Sequence, residues 1–247
     1  MLDSGRWRVA LPKLGQVTRV AWKHMAPTFA LLPSPLLGAA VWEPVAGELR
    51  TGGVPTVVLD VPGAVGGPDD VIAAFLAALP SGAVLVPHSN SGYLAPALAV
   101  ASEARATVFV DAALPWAAGS TSLAPPQFLD FLTGLADDDG VLPPWTQWWD
   151  DTAALFPTEA SRRRVEAEQS LLPLEYFRSR VGVPEDWFAR PCAYLGFGEV
   201  YAEELRTARL RGWPTRTLDG RHLHMLHDPV GVAHAILELE AGTERSA

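Results

Sequence analysis

The chain has 247 residues, of which 49% are hydrophobic and 19% charged, with nine Trp, a single Cys and a formal net charge of −9. A chain of this length can bury about 70–75% of its unfolded surface without a disulfide or metal staple, so disordered and fibrous classes are excluded and one large or two small domains remain. The excess of carboxylates opposes the phosphates of nucleic acid, so no nucleic-acid partner is expected.

Residues 1–7 lack the charged-then-apolar order of a signal peptide, and no apolar stretch reaches the ~20 residues of a membrane span. The expectation is a cytoplasmic chain with no membrane partner. Cys192 has no second Cys to pair with, and its neighbours Pro191 and Ala193 suggest a buried, inert thiol.

In chain order, 28–32 is a short apolar run stopped by Pro33, and 55–59 is a β-branched run stopped at Asp60. Both are predicted as buried parallel strands. Between them Trp42, Val45 and Leu49 fall at i, i+3 and i+7, which predicts a helix over 41–50. Asp69 and Asp70 supply N-cap and first-turn carboxylates to a helix that runs to Leu79. The next strand is 83–86; after a sharp turn at 88–92 a small-residue helix occupies 95–101, and a strand over 107–110 closes on Asp111.

From 117 to 190 the pattern changes. Five of the nine Trp residues, counting Trp116 at its edge, lie here with no strand run between them, which predicts a helical lid inserted into a core formed by 1–116 and 191–247. The rhythm resumes with a strand at 192–195, a helix at 202–211, a strand at 215–218 and a closing helix at 229–239. Such alternation predicts an α/β fold, a mostly parallel sheet flanked by helices, with functional residues at the carboxyl edge of the strands.

The run Val84-Leu85-Val86-Pro87-His88-Ser89-Asn90-Ser91-Gly92 is an apolar strand followed at once by a small-residue turn, a variant of the G-x-S-x-G nucleophile elbow. Small residues two positions either side of the nucleophile let strand and helix approach; Ser91 meets that demand and Pro87 does so incompletely. A Ser hydroxyl is a weak nucleophile until a base takes its proton, commonly a His oriented by a carboxylate. His222, in a Gly-x-His turn after the last strand, is the candidate base, with His224 and His227 as competitors in register. For the acid, Glu199 in the loop Gly196-Phe197-Gly198-Glu199 is the first choice, and Asp111 at the end of the preceding strand is the alternative.

Three further segments complete a pattern. Leu31 through Trp42, with Pro33, Gly38 and Trp42 at their spacing, resembles the His/Pro-Gly-x-x-x-Gly-x-x-x-Trp loop of the plant-methylesterase-like bacterial branch of the α/β-hydrolase superfamily. Val108-Phe109-Val110-Asp111-Ala112-Ala113-Leu114-Pro115 is similar to that branch's strand ending Leu-Asp-Ala-x-x-Pro, and the His222 segment to its Gly-x-His-x-x-Met turn.

The resemblance implies an α/β-hydrolase fold with an inserted lid, in which Ser89 attacks a carbonyl, His222 serves as base and then acid, and Glu199 (alternatively Asp111) orients the imidazole. The backbone N–H of Asn90 would be one oxyanion donor. At the usual second donor stands Pro35, which has no N–H, so the Ser34 hydroxyl or the Leu36 N–H is left to replace it. Loss of one such donor typically costs about 2.7–4 kcal/mol in the transition state.

The implied substrate is a small hydrophobic or aromatic ester or thioester, with no cofactor and no metal. Trp116, Trp145, Trp148, Trp149 and His224 are the expected pocket-lining residues. Two other readings share the pocket: a cofactor-free lyase or cyclase in which His222 is the base and Ser89 only donates a hydrogen bond, and a non-catalytic ligand-binding protein, motivated by Pro35 and Pro87.

Overall fold

The computed structural model describes residues 27–243, so residues 1–7, on which the reading of the leader rests, lie outside the described residues. Among the described residues six strands form one sheet in the order β2-β1-β3-β4-β7-β8: β1 (Phe29–Leu32), β2 (Thr56–Val58), β3 (Val84–Ser89), β4 (Ala106–Ala112), β7 (Cys192–Phe197) and β8 (Thr215–Leu218). Every pairing in it is parallel. The central strands β3, β4 and β7 are buried along their whole length, which is why they read as near-continuous apolar runs rather than alternating ones.

Crossover helices sit on both faces. α1 (Glu43–Thr51) joins β1 to β2, whereas α2 (Pro68–Ala78), α3 (Ser91–Ala101) and α7 (Ala202–Leu210) carry the chain in the opposite direction across the sheet. Right-handed crossovers therefore place α1 on one face and the other three on the second. The short α8 (His224–His227) and the closing α9 (Pro229–Thr243) join α1, with α9 packed on α1, β4 and β7. The strand order reverses beside β1, so the carboxyl ends of β1 and β3 flank the crevice where a ligand site is expected.

Residues between β4 and β7 form the insertion. It holds α4 (Pro126–Leu135), α5 (Glu159–Glu166) and α6 (Leu174–Arg178), but it is not wholly helical, which corrects the sequence reading. β5 (Gly119–Ser122) pairs antiparallel with β6 (Arg180–Val183). Only Thr121, Val181 and Val183 of these eight residues are buried, and so short and polar an alternation carries no recognisable strand run.

Two boundaries bear on function. β3 runs on to Ser89 and α3 starts at Ser91, so the turn between them is far tighter than the predicted one. β4 continues past Val110, placing Asp111 inside the strand. Among the described residues no helix is long and apolar enough to cross a membrane. Cys192 is buried and free, and burial pushes its thiol up to about 12, which leaves it protonated and unreactive.

Candidate active site

The elbow is built by compression. Ser89 has φ of 57°, in the left-handed region that costs a non-glycine residue energy, and the pairing of β3 with β4 shifts register between His88 and Ser89. α3 can begin so soon because Gly92 presses on the strand-end backbone: a Cβ there would lie 2.0 Å from the Ala113 carbonyl oxygen. Ser91 does more than stay small. Its hydroxyl donates to the Pro33 carbonyl at 2.5 Å, tying the start of α3 to the loop that leaves β1.

That loop is braced from the insertion. Gly38 takes φ of 72°, and a Cβ on it would fall 2.8 Å from the Glu168 Cβ, while the Glu168 carboxylate accepts the Ala40 N–H at 2.7 Å. Trp42, completely buried, sets its ring edge-on to His88 at 6.0 Å.

Asp111 also has a left-handed backbone, with φ of 41°. The bend is pinned by Tyr194 on β7, whose hydroxyl donates to the Ala112 carbonyl at 2.6 Å and accepts the Ala112 N–H at 3.0 Å. It turns the Asp111 carboxylate toward the end of β7, where one oxygen accepts the Phe197 N–H at 2.9 Å and the other meets His222 Nδ1 at 2.7 Å. The carboxylate is 1% exposed, so this charge-assisted bond is shielded from water. It fixes the proton on Nδ1 and leaves Nε2 as the acceptor.

The geometry thus pairs His222 with Asp111 and not with Glu199. Glu199 is exposed, two residues beyond the Phe197 amide that Asp111 occupies, in the turn made by Gly198 at φ of 61°. The physical reason is the kink in β4, which delivers a carboxylate across the strand ends before the loop after β7 begins.

His88 packs against His222. Its Nε2 bonds the His222 carbonyl oxygen at 3.1 Å and its ring stacks on His222 at 4.5 Å. Burial, reinforced by the neighbouring His222, holds the His88 pKa well below the ordinary 6.5. The neutral folded form binds fewer protons than the unfolded chain, so stability is present above the unfolded value and is lost as pH falls toward the folded one. Urea midpoints measured between about pH 8 and pH 5 should fall more steeply for the native chain than for His88→Phe. Parallel curves would remove His88 as the source.

Ser89, Asn90 and His222 share a cavity of about 330 Å³ whose apolar walls include Leu36, Phe128, Trp145, Trp149 and Phe177. The Asn90 side chain is clamped, donating to the Leu123 carbonyl at 2.9 Å and accepting from the Tyr176 hydroxyl at 3.0 Å. Of the two residues expected to donate in place of Pro35, Leu36 reaches this cavity. Ser34 does not: its hydroxyl is completely buried and finds no partner among the described residues.

Three expected lining residues stand elsewhere. Trp148 packs behind the wall on Phe177 at 6.2 Å with its indole N–H given to the Pro143 carbonyl. His224 packs on Phe197 at 5.3 Å, and Trp116 is 62% exposed in a separate cleft. In their place the cavity takes Tyr201, whose hydroxyl lies 3.5 Å from Ser89 Oγ. Burial raises the Tyr201 pKa far above the usual phenol range, so it stays protonated. The only sequence signal for it was an aromatic residue just past the Gly198 turn.

No protein-family model and no curated protein matches the sequence. Solved structures do match. An extracellular α/β-hydrolase from a Paenibacillus species, described as sharing structural and functional homology with tobacco salicylic acid binding protein 2, has a TM-score of 0.71 at 16% identity, covering 86% of this chain and 98% of its own. Polyneuridine aldehyde esterase gives 0.67 at 16% identity over 87% of this chain and 99% of its own. Tomato methylketone synthase I with β-ketoheptanoate gives 0.71 at 14% identity over 89% and 99%. The chain has the α/β-hydrolase fold, and the structures it resembles are of the plant methylesterase type.

Proposed function

We propose that this α/β-hydrolase-fold chain is an enzyme that hydrolyses an ester or thioester of a small hydrophobic or aromatic acid through an acyl-Ser89 intermediate. The observation that carries the reading is the 2.7 Å bond from Asp111 to His222 Nδ1 beside a strained Ser89 in an apolar cavity. Esterases and a pyrethroid hydrolase among the similar structures support it.

In this reading Ser89 Oγ attacks the carbonyl carbon while His222 Nε2 takes its proton, and the imidazolium that forms is stabilised by Asp111. The oxyanion receives the Asn90 N–H and the Leu36 N–H. Collapse breaks the bond to the leaving oxygen or sulfur, which takes the proton from His222; a water then repeats the cycle and frees the acid. The insertion acts as a lid whose aromatic wall excludes bulk water. The cytoplasmic location and the absence of nucleic-acid and membrane partners belong to the same proposal.

Tyr201 fits as a positioning residue. With the phenol proton directed at Ser89 Oγ, the serine's own proton is left for His222. Tyr201→Phe should lower kcat about tenfold with KM little changed; an unchanged kcat would remove Tyr201 from the scheme.

The decisive test is reaction with a fluorophosphonate, with the adduct mapped by mass spectrometry. An adduct on Ser89 that disappears in His222→Ala supports the triad. A folded protein that takes no adduct overturns the acyl-enzyme reading and favours a ligand-binding role.

One observation favours the lyase or cyclase as second reading. Among the described residues Ser89 Oγ bonds Tyr201 and not His222, which leaves Nε2 free to accept a proton from a substrate carbon.

A further inference from the structure

A second cleft, of about 390 Å³, lies on the other side of Phe177, which lines both cavities. Its chemistry differs from the first. Trp116 presents an indole that is 62% exposed, and Arg178 and Arg180 enter from α6 and β6. The Arg180 guanidinium is held by the Ser120 and Ser122 hydroxyls at 3.0 and 2.8 Å and by the Ser120 carbonyl at 2.8 Å, all neutral acceptors. Among the described residues neither arginine has a carboxylate partner. On a chain with net charge −9, two uncompensated cations beside an exposed indole are suited to a planar anion.

The walls of this cleft are the two segments that clamp Asn90. Leu123, whose carbonyl accepts the Asn90 amide, directly follows β5, which supplies Ser120 and Ser122. Tyr176, whose hydroxyl donates to the same side chain, lies two residues before Arg178 in the single turn of α6. A ligand that draws Arg178 toward Arg180 therefore acts on both hydrogen bonds of the residue next to Ser89.

We propose that this cleft is a second binding site for a small aromatic carboxylate, its ring against Trp116 and its carboxylate on Arg178 and Arg180, and that occupancy changes the reactivity of Ser89 through Asn90. The coupling, though not the binding, rests on the reading of Ser89 and Asn90 given above. The acid released by the proposed hydrolysis belongs to this chemical class.

The test uses benzoate as the probe, titrated by calorimetry. Arg178→Ala and Trp116→Ala should each weaken its binding by about tenfold, and benzamide should bind the native chain about tenfold less tightly than benzoate. Trp145→Ala, in the first cavity, should leave the Arg178-dependent component of benzoate binding unchanged. Absence of binding, equal binding of benzamide, or a loss confined to Trp145→Ala overturns the site. For the coupling, benzoate should alter the rate of fluorophosphonate labelling of Ser89 in the native chain and not in Arg178→Ala. Binding with no change in that rate overturns the coupling. If no labelling occurs at all, the acyl-enzyme reading falls while calorimetry still decides the cleft.

Discussion

Asp111→Asn is expected to lower kcat/KM for ester hydrolysis by about four orders of magnitude, with Glu199→Gln staying within about twofold of the native chain. The asymmetry follows from where each carboxylate stands. Asp111 is 1% exposed and accepts two hydrogen bonds, from Phe197 N–H and His222 Nδ1, so an amide in its place presents an N–H to one of two donors and turns the imidazole toward the wrong tautomer. Glu199 is exposed and its charge is screened by water. Steady-state kinetics on a p-nitrophenyl ester of a short acid measures both variants. A large loss in Glu199→Gln with Asp111→Asn unimpaired would reverse the assignment.

Ser89→Ala should abolish hydrolysis, with kcat falling by about a millionfold, comparable to the loss expected of His222→Ala because the two act as one unit. The same substitution separates the two catalytic readings. If His222 takes a proton from a substrate carbon and Ser89 only donates a hydrogen bond, Ser89→Ala costs about tenfold on the carbon acid being tested, and His222→Ala removes that activity. Alanine at 89 also removes the partner of Tyr201, so folding should be checked by urea denaturation; stability is expected to change little, since the left-handed backbone is imposed by β3, α3 and Gly92.

Much of the fold was legible because its signals are local. Run length, β-branched content and Gly or Pro breaks mark strands and crossovers, and the reversal from α1 to α2 follows from handedness once the strands are placed. β5 and β6 escaped because four residues each, mostly exposed, carry no run to read. The elbow was legible for the opposite reason: Ser89, Ser91 and Gly92 are small residues crowded between an apolar strand and a helix, and each has a steric or hydrogen-bonding reason to be small.

The sequence by itself determined an acidic α/β chain with a parallel sheet, an aromatic insertion, and Ser89 and His222 at the ends of strands. These depend on spacing along the backbone, which one-dimensional order fixes. Only the tertiary structure decided which carboxylate meets His222, because β4 and β7 are neighbours in the sheet and carry Asp111, inside β4, and Glu199, two residues past β7, toward the same edge. The choice rests on a left-handed φ at Asp111, the Tyr194 clamp on Ala112 and the Phe197 amide that donates to Asp111. The same holds for Tyr201 beside Ser89, for the division of the tryptophans between two cavities, and for the arginines beyond Phe177. Each is a meeting of side chains from distant segments, set by the path of the chain rather than by its local pattern.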